Sequence, residues 1–97
     1  MSGFSVDDRV LVPLGDAQMT AISAAVGLAS IPTGARYAWL QAETQNVRAR
    51  FAGGDPTASV GMLISKDGDG IWCTSNLNLV LVIQAVAGAI LNITYYR

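Results

Sequence analysis

Two alternating runs stand out along the chain. Across Ala35–Glu43, an extended strand places Arg36, Ala38, Leu40 and Ala42 on one side and Tyr37, Trp39, Gln41 and Glu43 on the other. Neither side is wholly polar, so the pattern predicts a strand covered on both faces, between a core and an interface. Across Val47–Phe51, Val47, Ala49 and Phe51 alternate with Arg48 and Arg50, the signature of a half-buried strand. Only Thr44-Gln45-Asn46 separates the two runs. So short a turn predicts a hairpin.

Shorter elements follow the same logic. Arg9–Leu14 reads as a β segment, and Pro13, which has no N–H to donate, places it at a sheet edge or a strand end. Ala17–Ala29 is open to two readings. Its alanines favour a helix, but Met19–Ile22 and Val26–Leu28 also read as two short strands. The missing polar face and Gly27 tilt the expectation to β. Ala52–Thr57 is the strongest loop: its glycines permit positive φ, and Pro56 holds Asp55 extended. Ser59–Ser65 and Ile71–Thr74 are further strands, joined by Lys66-Asp67-Gly68-Asp69-Gly70, whose Asp-Gly pair predicts a tight hairpin turn.

From Gly70 to Tyr96 no residue is charged. Such a stretch must be buried, and it reads as two strands, Leu77–Val86 and Ala89–Tyr96, around Ala87-Gly88. Seven or eight short strands, with turn signals about every eight to twelve residues, are the pattern of an all-β protein. The expected fold is a small antiparallel β-sandwich or jelly-roll-like barrel. Residues 1–8 read as a flexible arm and residues 9–97 as one domain.

Composition sharpens this picture. Of 97 residues, 52% are hydrophobic and only 13% charged, against about 25% charged in an ordinary soluble domain. A chain this short buries only about 60–65% of its unfolded surface. Some apolar surface is therefore expected to lie against copies of the chain or other partners. Net charge is −1, without a basic run, which speaks against nucleic acid and anionic membranes as partners. The thirteen-residue apolar run Leu79–Leu91 is short of the roughly twenty needed to span a bilayer. The single cysteine, Cys73, reads as a buried apolar residue in a chain made in a reducing cytoplasm.

Candidate chemistry is sparse. The chain has no histidine, which removes the usual acid/base, the Ser-His-Asp triad and most zinc sites. Five of the seven acids (Asp7, Asp8, Asp55, Asp67 and Asp69) fall in the arm or in turns, where they serve as solvated or turn-forming groups. Asp67-Gly68-Asp69-Gly70 lacks the closing Glu of a calcium loop, having Asn78 there. No catalytic residue, cofactor or metal is expected, and the chain reads as a non-enzyme. The candidate functional residues are instead interface anchors: the aromatics Tyr37, Trp39, Trp72 and Tyr96, with Arg48 and Arg50 as a solvated face or the polar half of the same interface. Tyr95 and Tyr96 must point to opposite sides of the last strand, so only one of them can be core.

Four blocks carry a resemblance: Ile31-Pro32-Thr33-Gly34-Ala35-Arg36-Tyr37-Ala38-Trp39-Leu40-Gln41-Ala42-Glu43; Val47-Arg48-Ala49-Arg50; Gly54-Asp55-Pro56-Thr57-Ala58-Ser59-Val60-Gly61-Met62; and Ala89-Ile90-Leu91-Asn92-Ile93-Thr94-Tyr95-Tyr96-Arg97. Together they resemble a group of small virion proteins of tailed bacteriophages that end in a similar Leu-Asn-Ile-Thr-Tyr-Tyr manner. The resemblance covers about two-thirds of the chain, from Ile31 to Arg97. It implies a β-sandwich subunit made in the host bacterial cytoplasm and carried on the phage head exterior. There it would be a decoration or cement protein bridging major capsid proteins, with homo-oligomers expected. A neck or tail component is the near alternative. A surface carbohydrate-binding module, stacking sugars on Trp39, Tyr37 or Trp72, is the rival from another class.

Overall fold

A computed structural model describes residues 10–97, and the arm expected over residues 1–8 lies outside them. Among the described residues eight strands form: β1 (Pro13–Met19), β2 (Val26–Gly27), β3 (Tyr37–Glu43), β4 (Val47–Arg50), β5 (Met62–Ile64), β6 (Ile71–Cys73), β7 (Leu81–Gln84) and β8 (Ile90–Tyr96). They make two four-stranded sheets, sheet A in the order β1-β8-β3-β6 and sheet B in the order β2-β7-β4-β5. All six neighbouring strand pairs are antiparallel. The expected β-sandwich is therefore present.

Its connectivity follows one rule. β1 pairs with β8, β2 with β7, β3 with β6 and β4 with β5. The chain is a long two-stranded ribbon with β4–β5 at its tip, rolled so that β8 lies against β3 and β7 against β4. This is a jelly roll. The strands left at the edges include β2, β5 and β6, of only two, three and three residues. Short edges offer little unpaired backbone to a stray strand.

Rolling overturns two sequence expectations of hairpins, at Thr44–Asn46 and at Lys66–Gly70. β3 and β4 belong to different sheets, as do β5 and β6, and β7 and β8. The turns at Thr44–Asn46, Lys66–Gly70 and Ala87-Gly88 are thus corners between sheets, not hairpins. A two-residue hairpin of type I′ needs two successive residues at positive φ. Only Thr44 (68°) has positive φ in the first turn, and in the second Asp67 (59°) and Gly70 (84°) are not adjacent. The hairpin that does form is β4–β5, across the long 51–61 loop. In that loop Thr57 and Val60 exchange backbone hydrogen bonds of 2.9 and 3.2 Å.

Boundaries shift as well. The first strand begins at Pro13 rather than Arg9 and runs on to Met19, with a bulge between Pro13 and Gly15 against β8. Pro13 thus stands at the start of an edge strand, where no ladder donor is lost. Ala17–Ala29 holds no helix but the end of β1 and the two residues of β2. The stretch expected as one strand from Leu77 starts as a 3-10 turn, Leu77–Leu79, because the Asn76 side chain accepts the Asn78 N–H at 3.0 Å.

The core is the space between the sheets. Sheet A contributes Ala38, Leu40, Ala42, Cys73, Leu91, Ile93 and Tyr95; sheet B contributes Val47, Ala49, Ile64 and Val82, all at most 2% exposed. The three alanines of β3 and β4 keep the layer thin, and Tyr95 fills much of it. Its ring is fully buried, and its hydroxyl donates to the Ala29 carbonyl. Desolvation pushes that phenol up to about 12.

Candidate functional site

The outer face of sheet A collects the aromatic side chains. Ala38, Leu40 and Ala42 point inward, so Tyr37, Trp39, Gln41 and Glu43 point out. The register aligns Trp39 with Thr94 on one side and Trp72 on the other, and Tyr37 with Tyr96. The rings of Trp39 and Trp72 meet edge to face at a centroid distance of 4.9 Å, and those of Trp72 and Tyr96 at 5.2 Å. Both separations fall in the favourable range for aromatic pairs. Trp72 is 40% exposed and Tyr37, Trp39 and Tyr96 are half-buried, so the cluster is part of the surface.

Gly70 makes room for it. A Cβ on Gly70 would stand 3.0 Å from Cε2 and 3.1 Å from Cζ2 of Trp39, and 2.6 Å from the Leu40 carbonyl oxygen. Its φ of +84° is one that side chains avoid. The Asp-Gly-Asp-Gly turn therefore seats the indole of Trp39.

One row further along the strands the same face turns polar. Gln18 of β1, Asn92 of β8 and Gln41 of β3 stand in register. Gln18 Nε2 donates to Asn92 Oδ1 at 3.0 Å, and Asn92 Nδ2 donates to Glu43 Oε1 at 2.8 Å. Gln41 Nε2 donates to the Gly68 carbonyl at 3.2 Å. The strands of sheet A carry two acids, Asp16 and Glu43, and no cation. Asp16 aligns with Thr94 and Glu43 with Ile90. Two strand spacings and four residues of rise put them roughly 16 Å apart. A carboxylate pair that hydrolyses a glycosidic bond is held within about 5–9.5 Å.

The outer face of sheet B has the opposite character. Val47 and Ala49 are buried, so Arg48 and Arg50 point out. Arg48 stands between Leu63 and Ile83, and Arg50 beside Leu81. Arg48 Nη1 donates to the Gly61 carbonyl at 3.0 Å, and Arg50 Nη1 to the Asp55 carbonyl at 3.4 Å. The two arginines thus brace the 51–61 loop, with the Arg48 Nε covered by protein. Beside them lie exposed Leu63 (43%) and Leu79 (46%). The strands of sheet B carry no acid.

The six candidate residues are therefore not one interface. Tyr37, Trp39, Trp72 and Tyr96 share the outside of sheet A, while Arg48 and Arg50 lie on the opposite side of the sandwich. Of the two readings of the arginines, a solvated face or the polar half of the aromatic interface, the second is excluded by the sheet assignment of β4. Sequence reading missed the Gln18–Asn92–Glu43 ladder and the aliphatic surface of sheet B. The pairing of Gln41 and Glu43 with Tyr37 and Trp39 was the visible trace of the first. The second left no trace until β5, β4 and β7 were known to be neighbours.

Other groups are quiet. Cys73 is buried, with its thiol 3.6 Å from the Ser75 hydroxyl. Among the described residues, no group of three or more His, Cys, Asp or Glu side chains is placed to hold a metal ion, and no helix is long and apolar enough to cross a membrane. No protein-family model matches this chain, nor does any curated protein or any solved structure.

Proposed function

We propose that this protein is a non-enzymatic structural subunit of a tailed-phage particle, a decoration or cement protein that docks on the capsid and bridges its subunits. The observation that carries the reading is the outer surface of sheet B. There an aliphatic patch of Leu63, Leu79, Leu81 and Ile83 surrounds two arginines already fixed by hydrogen bonds. Interface cores are enriched in Arg and depleted in Glu and Asp, and this face is apolar around its two arginines with no acid on its strands. Side chains ordered before binding lose less entropy on docking. The identity of the partner rests on the resemblance of residues 31–97 to small phage virion proteins.

A rigid sandwich suits the task. Two packed sheets resist shear without moving parts, and a clamp across a capsid junction works by buried area alone. Quantitative mass spectrometry of purified particles tests the reading. A copy number on the scale of the major capsid protein is the expected result. A few copies per particle would shift the protein to the neck or tail, and its absence from particles would sink the proposal. Leu63→Asp places a charge in the patch without touching the core, and it is expected to lower occupancy on particles at least tenfold. Occupancy equal to that of the unmodified protein would remove sheet B as the contact.

A further inference from the structure

A subunit that docks through sheet B turns sheet A outward, and that face joins aromatic rings to a polar row. Half of it is aromatic: Trp39, Trp72, Tyr37 and Tyr96. The other half is a row of amides with a carboxylate: Gln18, Asn92, Gln41 and Glu43. A protein covering this face would bury Glu43 and three amides, each needing a new partner. A sugar meets both halves at once. Its C–H faces pack on indole rings, and its hydroxyls donate to oxygens and accept from amide N–H groups.

The ladder is arranged for such contacts. Each link uses one side of an amide and leaves the other. Among the described residues, Gln18 Oε1 and Glu43 Oε2 have no hydrogen-bond partner, and Gln41 Oε1 likewise. Because Asn92 donates to Glu43 and accepts from Gln18, the three side chains are held in fixed orientations before any ligand arrives. Preorganised polar groups beside aromatic walls are the usual make-up of a small-ligand site. Four strands about 4.8 Å apart give a surface roughly 14 Å wide, open along its length and suited to an extended chain rather than a single small molecule.

Charge selects among saccharides. Asp16 and Glu43 are the charges carried by the strands of this face, with Arg36, Lys66 and Arg97 flanking them. Beside the two acids a neutral polymer is favoured over a phosphorylated, sulfated or uronic-acid one. The separation of roughly 16 Å between the two acids, from strand spacing and rise, makes the surface a binding site and not a hydrolytic one. We propose that the outer face of sheet A binds a neutral oligosaccharide, stacked on Trp39 and Trp72 and hydrogen-bonded by Gln41 and the Gln18–Asn92–Glu43 ladder.

The inference does not depend on a capsid partner, and its test needs only the purified chain. Maltohexaose, cellohexaose, mannohexaose and chitohexaose are titrated calorimetrically, with a sulfated heparin hexasaccharide as the anionic counterpart. At least one neutral hexasaccharide is expected to bind saturably with a Kd of about 1 mM or tighter. Trp72→Ala is expected to weaken it about tenfold, the loss of one aromatic contact and its buried area. Glu43→Gln keeps an acceptor for Asn92, and a smaller weakening of several-fold is expected from it. Arg50→Ala, on the far face, leaves affinity unchanged. Melting curves establish that each variant is folded.

Four results would overturn the proposal: no binding by any neutral probe, affinity unchanged in both sheet A variants, preference for the sulfated probe, or equal loss in Arg50→Ala. A concentration-dependent dimer abolished by Trp72→Ala, with no sugar bound, would assign the face to a second copy instead.

Discussion

The hydroxyl of Tyr95 donates to the backbone carbonyl of Ala29, 66 residues earlier in the chain. The bond ties the last strand to the irregular segment after β2, across the core. It also satisfies the one polar atom of a ring that is otherwise fully enclosed.

Tyr95→Phe keeps the ring and leaves the Ala29 carbonyl without this donor. A loss of about 1–3 kcal/mol is expected, read as a lower urea midpoint with an unchanged slope. The pH profile carries a second signature. In the unfolded chain the phenol ionises near 10; burial in the folded chain pushes it up to about 12. Between these values the folded state keeps a proton that the unfolded state has released, so stability falls as pH rises. The contribution is complete below about pH 10 and lost through about pH 12. Tyr95→Phe should flatten that part of the profile relative to the unmodified protein. Identical slopes would show that Tyr95 is not the group responsible.

Gly70→Ala is expected to be among the most damaging single-methyl changes in the protein. The new Cβ would meet the Leu40 carbonyl oxygen at 2.6 Å and the Trp39 indole at 3.0 Å, at a φ of +84°. Strain of this kind costs on the order of 1–3 kcal/mol before any steric clash is added. Denaturant titration measures the sum, and near-UV circular dichroism reports whether the Trp39–Trp72 pair has moved. A stable protein with an unchanged tryptophan signal would refute the seating role given to Gly70.

Thr44 separates backbone strain from hydrogen bonding. It adopts a φ of 68°, rare for a β-branched residue, and its hydroxyl donates to the Gly88 carbonyl. That contact joins two corners that both cross between the sheets. Thr44→Ala removes the bond and keeps most of the strain; a loss of about 1–2 kcal/mol is expected. Thr44→Gly removes both, and the relief of roughly 1 kcal/mol at a left-handed position offsets much of the loss. Thermal melts should therefore rank Gly above Ala. The reverse order would mean that the corner tolerates a side chain without strain.

Strand content was legible because its signals are local. Ala38, Leu40 and Ala42, and again Leu91, Ile93 and Tyr95, alternate with outward residues, and the burial follows that alternation. Pairing was not legible. A three-residue turn such as Thr44–Asn46 is compatible with a hairpin or with a corner, and the choice depends on whether the next strand is needed opposite the first to close the core. For the same reason the aromatic residues were visible as a group while their separation from Arg48 and Arg50 was not. β3 and β4 are neighbours in sequence and lie in opposite layers. The amide ladder needed a partner from β1, whose register is set by a bulge that no residue pattern announces.

The position of β8 has a consequence for how the protein is born. The final seven-residue strand lies between β1 and β3, in the interior of sheet A. Until it is synthesised, those two strands face an empty slot, and Leu40 and Ala42 have no cover from Leu91 or Ile93. The residues before Ile90 therefore cannot complete sheet A until β8 has joined them. Loops must close over nearly the full length of the chain before the native contacts repay them. A chain cut anywhere before β8 therefore leaves sheet A split between β1 and β3, with no smaller sandwich behind.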